Sequence, residues 1–143
     1  MQMNIFIAIT EDLLKKNSNV DIAFMMDSTA SMGKNINGTK SNVASIVDKV
    51  KDTFKVAKVR VAFVAYRDYT EGPKRFEIMD FTDDIPSFID FIGTIRAFRG
   101  GDIPEDVLGA LNQTINLNWT AANKLFFQIG IVLKNLNGVY CLT

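Results

Sequence analysis

Residues 20–31 read Val-Asp-Ile-Ala-Phe-Met-Met-Asp-Ser-Thr-Ala-Ser, a mostly apolar run of strand length that stops abruptly at a polar cluster. An uninterrupted apolar run of this kind marks a strand buried on both faces of a parallel sheet. Asp27, Thr29 and Ser31 then place a carboxylate and two hydroxyls at alternate positions directly after it. Such oxygens are hard ligands, suited to Mg²⁺ or Mn²⁺ in octahedral geometry. A cation held by few protein charges keeps water or open positions, which an incoming carboxylate can fill. The same residues also read as a polar turn whose side chains cap local backbone amides.

Working outward, Gly33, Asn35, Asn37 and Gly38 mark a loop. Apolar residues at Val43, Ile46, Val47, Val50 and Phe54 then form one stripe of a helix expected over residues 39–55. Residues 58–66 are a second apolar strand, ending on Arg67 and Asp68, for which a strand-end salt bridge or turn is expected. After Gly72 and Pro73, residues 75–81 alternate as a half-buried edge strand. Asp83 or Asp84 caps a further helix carrying Pro86 early and Ile85, Phe88, Ile89 and Ile92 at helical spacing. A second breaker loop, Arg99-Gly100-Gly101-Asp102, leads to a helix with Asp102 at the N-cap position and Pro104 and Glu105 in its first turn. Residues 123–133 look like another buried strand. The order β-α-β-β-α-α-β predicts an α/β fold, a mostly parallel sheet with helices on both faces. Ligands of such sheets bind beyond the carboxyl ends of the strands, where the strand order reverses.

Composition narrows the function. The chain has 143 residues, 48% of them hydrophobic, enough for one core. Lys plus Arg and Asp plus Glu number 16 each, so no long-range field draws in nucleic acid or an anionic membrane. There is no histidine, which removes most zinc sites and every Ser-His or Cys-His catalytic pair within the chain. The single cysteine, Cys141, suits a reducing compartment. The opening MQMNIFIAIT has a short apolar run without a basic leader, and no stretch of about 20 apolar residues exists to span a membrane. A cytoplasmic protein is expected. The segment Gly33-Lys34-Asn35-Ile36-Asn37-Gly38-Thr39-Lys40 places its hydroxyl before the lysine and so does not meet the phosphate-loop pattern.

Asp27-Ser28-Thr29-Ala30-Ser31 resembles the D-x-[ST]-x-S pattern of the von Willebrand factor type A family at its metal-ion-dependent adhesion site. Residues 99–106, Arg-Gly-Gly-Asp-Ile-Pro-Glu-Asp, look like the Gly-Gly loop that opens that family's third helix. Together with Ala65-Tyr66-Arg67-Asp68-Tyr69 they resemble in particular the version found beside alpha-kinase domains in protists. The resemblance implies a Rossmann-like fold and a non-enzymatic module that binds a partner protein's acidic side chain through Mg²⁺ or Mn²⁺. Thr29 and Ser31 would bind the metal through their hydroxyls, with Asp27 acting through water or as an outer acceptor. Asp102 lies near where many members place a threonine, and its carboxylate would join the ligands.

The pattern also departs from this sequence. The family usually supplies another Asp just after the fourth strand, where this chain runs Gln128-Ile129-Gly130-Ile131-Val132-Leu133. Residues 1–18 read as an N-terminal extension, 19–133 as a partial domain and 134–143 as a divergent tail, short of the strands and helices that complete the family fold. Residues 123–133 would then form an exposed apolar edge, with residues 138–143 as its cover. Two other functions stay open: an Asp27-nucleophile phosphohydrolase, although Thr29 stands where such enzymes carry a second Asp, and a remnant without ligand.

Overall fold

The computed structural model describes residues 3–5, 19–34, 36–54, 58–97 and 105–131. Its centre is strand β2 (Val20–Asp27), every residue of which is buried. The strands are β1 (Met3–Ile5), β2, β3 (Val59–Tyr66), β4 (Phe76–Thr82) and β5 (Asn123–Ile131). The helices are α1 (Ile36–Phe54), α2 (Ile85–Thr94) and α3 (Val107–Ile115). The sheet order is β1-β5-β2-β3-β4. β2 runs parallel to both β3 and β5, while β1 and β4 pair antiparallel at the two edges. This is the expected α/β architecture, mostly parallel at its centre, with β4 as the foreseen edge strand. None of the described helices is long and apolar enough to cross a membrane.

Alternation along β2 divides the core. Val20, Ile22, Phe24 and Met26 face α1 and α2, packing with Val43, Val47 and Val50 of α1 and Phe88 and Ile92 of α2. Phe24 stacks on Phe127 at 5.3 Å and lies 6.1 Å from Phe88. Ala23 and Met25 face the opposite side with Ala110 of α3, Leu117 and the half-buried Trp119. Burial on both faces is what an apolar run ending in charge encodes. Trp119 fixes the loop after α3, donating Nε1 to the Thr114 carbonyl at 2.9 Å and meeting Phe81 edge-on.

Three expectations need correction. α1 begins at Ile36, not Thr39, so Asn37 and Gly38 are helical. Ile36 is buried two turns before Val43 on the same face, and that packing outweighs the poor helix propensity of its neighbours. The N-cap of α3 is Asp106, whose carboxylate accepts the Gly109 amide at 2.8 Å, and not Asp102. Glu105 cannot lie in a first helical turn because it is paired in extended conformation with Asp68. A side chain at Gly109 would run into the Asp106 carboxylate, which Arg75 Nε also holds at 2.7 Å. Asp106→Ala is expected to cost about 1–2 kcal/mol, the worth of a good cap, in urea unfolding at neutral pH. Finally, the last three residues of the β5 edge are covered from the other end of the chain: Met3, Asn4 and Ile5 pair with Ile131, Gly130 and Ile129. Residues 138–143, expected there, lie outside the described residues, as does Cys141.

The end of the sheet away from the polar loop is tied by a buried ion pair. Asp21 accepts Arg60 Nε and Nη2 at 2.8 and 2.7 Å and the amides of Thr120 and Ala121 at 2.8 and 2.9 Å.

Candidate functional site

The chain leaves β2 at Asp27, opposite Tyr66 on one side and just beyond the Met26–Ile129 pair on the other. From β2 the sheet grows towards β3 in one direction and β5 in the other, so Asp27 stands at the strand-order reversal. Asp27 and Thr29 are almost wholly buried, and Ala30 turns out to solvent. The loop tightens into a short 3₁₀ turn over Ala30–Met32, plugged into the core by Met32.

Within this loop Thr29 donates both its amide and its hydroxyl to Asp27 Oδ1, at 2.8 and 2.7 Å. Ser28 fastens the loop to the neighbouring strand, its amide and hydroxyl meeting the Tyr66 carbonyl at 2.9 and 3.0 Å. The local turn foreseen for these residues is therefore formed. A hydroxyl that donates its only proton to a carboxylate leaves its lone pairs for another acceptor-seeking group. Asp27 thus accepts both donors of Thr29 and orients its hydroxyl. Oxygen donors of this kind match Mg²⁺ or Mn²⁺ in hardness. Ser31 lies in the 3₁₀ turn, but its side chain, like all of Asp102, is outside the described residues. Among the described residues no three carboxylates or thiols converge.

Sequence reasoning assigned no role to Tyr66. It is buried, and burial first, then the charge of Asp27, push its phenol above the usual tyrosine range, against a hydrogen bond to Gln128. It therefore stays a neutral donor at the rim. A Cβ at Gly130 would lie 3.8 Å from both Asp27 Cβ and Tyr66 Oη. The strand without its expected carboxylate thus brings its glycine right beside Asp27. The only sequence signal for this was the Gly130 interruption of an apolar strand, which marks close approach.

Beyond β3 the rim is built from charges that sequence placed only loosely. The strand-end salt bridge expected here is formed by Arg67 with Glu77. Gly72, at φ 58° in the left-handed region that favours glycine, turns the chain so that Arg75 reaches Asp106. Arg75 also lies over the rings of Tyr69 and Phe76 at 5.2 and 4.5 Å.

An α/β sheet with an Asp-x-Thr loop at its reversal point defines a class, and comparison places the chain within it. The model of the von Willebrand factor A domain matches residues 21–128. The chain belongs to the von Willebrand factor A domain family. It is 27% identical over 113 residues to the alpha-protein kinase vwkA of Dictyostelium discoideum, covering 79% of this chain and 18% of that protein. It is 32% identical over 90 residues to human von Willebrand factor A domain-containing protein 7, covering 63% of this chain and 9% of that one. Among solved structures it is similar to the pilus adhesin SpaC from Lactobacillus rhamnosus GG in its open conformation, with a TM-score of 0.43 and 10% identity, over 67% of this chain and 14% of that one. The chain thus spans a small part of the length of the relatives it matches. The family is one of protein-interaction and adhesion modules.

Proposed function

We propose that the chain is a cation-dependent protein-binding module, not an enzyme, acting in the cytoplasm. Thr29 and Ser31 hold a Mg²⁺ or Mn²⁺ ion through their hydroxyls, Asp27 serves as the outer acceptor, and Asp102 joins from the second loop. The cation supplies an electrophilic centre for an acidic side chain of the partner protein. The observation that carries this reading is the 2.7 Å hydrogen bond from the Thr29 hydroxyl to Asp27, set at the reversal point of the sheet. It fixes the carboxylate as an acceptor and turns the hydroxyl's lone pairs away from it. The single cysteine accords with a reducing, cytoplasmic setting.

Calorimetric titration with Mg²⁺ tests the site. Wild-type protein is expected to give a saturable heat that the double variant Asp27→Ala, Ser31→Ala lacks. Equal heats in both, or none in either, would show that the site is wrong.

A further inference from the structure

The outer side of α3 departs from the pattern of a surface helix. Such a helix ordinarily turns charged residues to water, but the sequence from Val107 to Asn123 holds none. The helix buries Ala110 and Thr114 against the sheet. Leu108 is left 80% exposed and Ile115 65% exposed. At one-turn spacing, Leu108, Leu111 and Ile115 form a single stripe along one flank. That stripe runs into a groove of about 450 Å³ between α3 and β5, walled by Leu111, Ile115, Trp119, Leu125 and Phe126. The polar groups of the wall are already engaged. The Thr114 hydroxyl donates to the Ala110 carbonyl at 2.8 Å, and the Trp119 indole donates to the Thr114 carbonyl at 2.9 Å.

Charge stands only at the two ends. Lys124 lines the groove, exposed, with Nζ on the Ala121 carbonyl at 2.9 Å. Glu105 is exposed just before the N-terminus of α3. Neither takes part in an ion pair among the described residues. An apolar, charge-free centre with charges at its margin is the composition of an interface.

The placement of those charges selects the occupant. An acid before one end of the helix and a base by the other are matched by the same helix running the opposite way. Each Glu105 then approaches the other copy's Lys124, and two-fold symmetry makes both contacts at once. In that arrangement Leu108 of one copy lies over Ile115 of the other, and no like charges meet along the stripe.

We propose that α3 and its groove are the contact face of a homodimer, two copies packed antiparallel about Leu111. The cation site takes no part in it.

Sedimentation equilibrium of the whole chain, with Cys141 kept reduced, tests the proposal. Trp119 is the only tryptophan, so its emission reports on this groove. One helix and its flank make a small interface, so wild type is expected to dimerise with a Kd of about 10–100 µM, its emission shifting to the blue as the dimer forms. Leu108→Glu and Ile115→Lys each place a charge against an apolar side chain and are expected to weaken association about tenfold or more, with unchanged melting temperatures. An equal mixture of the two variants sets Glu against Lys and is expected to recover the dimer. Wild type that stays monomeric to about 500 µM overturns the proposal and leaves the face to a different polypeptide. A dimer that both variants preserve, or one with unchanged Trp119 emission, places the contact elsewhere and also overturns it. Variants that are monomeric alone and remain so when mixed refute the antiparallel pairing.

Discussion

Asp21→Ala is expected to destabilise the protein by about 3–5 kcal/mol, the cost of removing one partner from a buried ion pair. The Asp21 carboxylate has no exposed surface and accepts four hydrogen bonds, two from Arg60 and one each from the Thr120 and Ala121 amides. Without it two backbone amides lose their acceptor, and Arg60 keeps the Asn118 carbonyl and the Phe81 ring. Urea unfolding at pH 7 measures the loss, and a cost below about 1 kcal/mol would contradict the assignment. The pair also predicts a pH dependence. Burial pushes the carboxyl up, but the hydrogen bonds from Arg60, Ala121 and Thr120 and the Arg60 charge outweigh it and hold Asp21 below its ordinary 3.8. The folded state therefore favours the charged form. That contribution is present above the ordinary carboxyl range and is lost as pH falls through the depressed folded value. Wild-type stability should fall in acid more steeply than that of Asp21→Asn.

Phe24→Ala is expected to cost about 3–5 kcal/mol, because a cavity opens where rigid strands and two helices leave little room to collapse. Phe24 is fully buried between Phe127 of β5 and Phe88 of α2, and Phe63 of β3 meets Phe88 edge-on at 6.2 Å. Set against a typical total of about 5–15 kcal/mol, this is a large share of the stability. The melting temperature and the urea midpoint should both drop sharply. Phe24→Leu, which keeps much of the volume, should recover more than half of the loss.

How much of this was legible in the sequence follows from what each signal depends on. β2 and β3 were readable because strands covered on both faces are mostly apolar, and that demand leaves a mark in composition, whereas β5, read as buried, alternates buried Leu125, Phe127 and Ile129 with exposed Lys124 and Gln128. The Asp84 cap was readable because it is local: Asp84 accepts Ser87 three residues on, with Pro86 in the first turn. The Asp27–Thr29 turn was foreseen for the same reason. The start of α3 was misread because Asp102 and Asp106 both satisfy the local rule, and only the distant partners Asp68 and Arg75 decide between them. Arg67 forms the strand-end salt bridge that was expected, with Glu77, but its further partners were not legible. Its acceptors lie up to 29 residues away and are mostly backbone carbonyls, which have no sequence signature. Tyr66 escaped notice because its meaning lies in the distance to Gly130 across two strands.

The strand Met3–Ile5 carries a practical consequence for producing the molecule. The family match starts at residue 21, and an expression boundary chosen from it would delete Met3, Asn4 and Ile5 together with Val20, the first residue of the central strand. The backbone of residues 129–131 would then be bare of its partner, ready to pair with another copy. Recombinant material cut there would precipitate for a reason unrelated to the ligand site, and a failure to bind cations in such material would say nothing about Thr29.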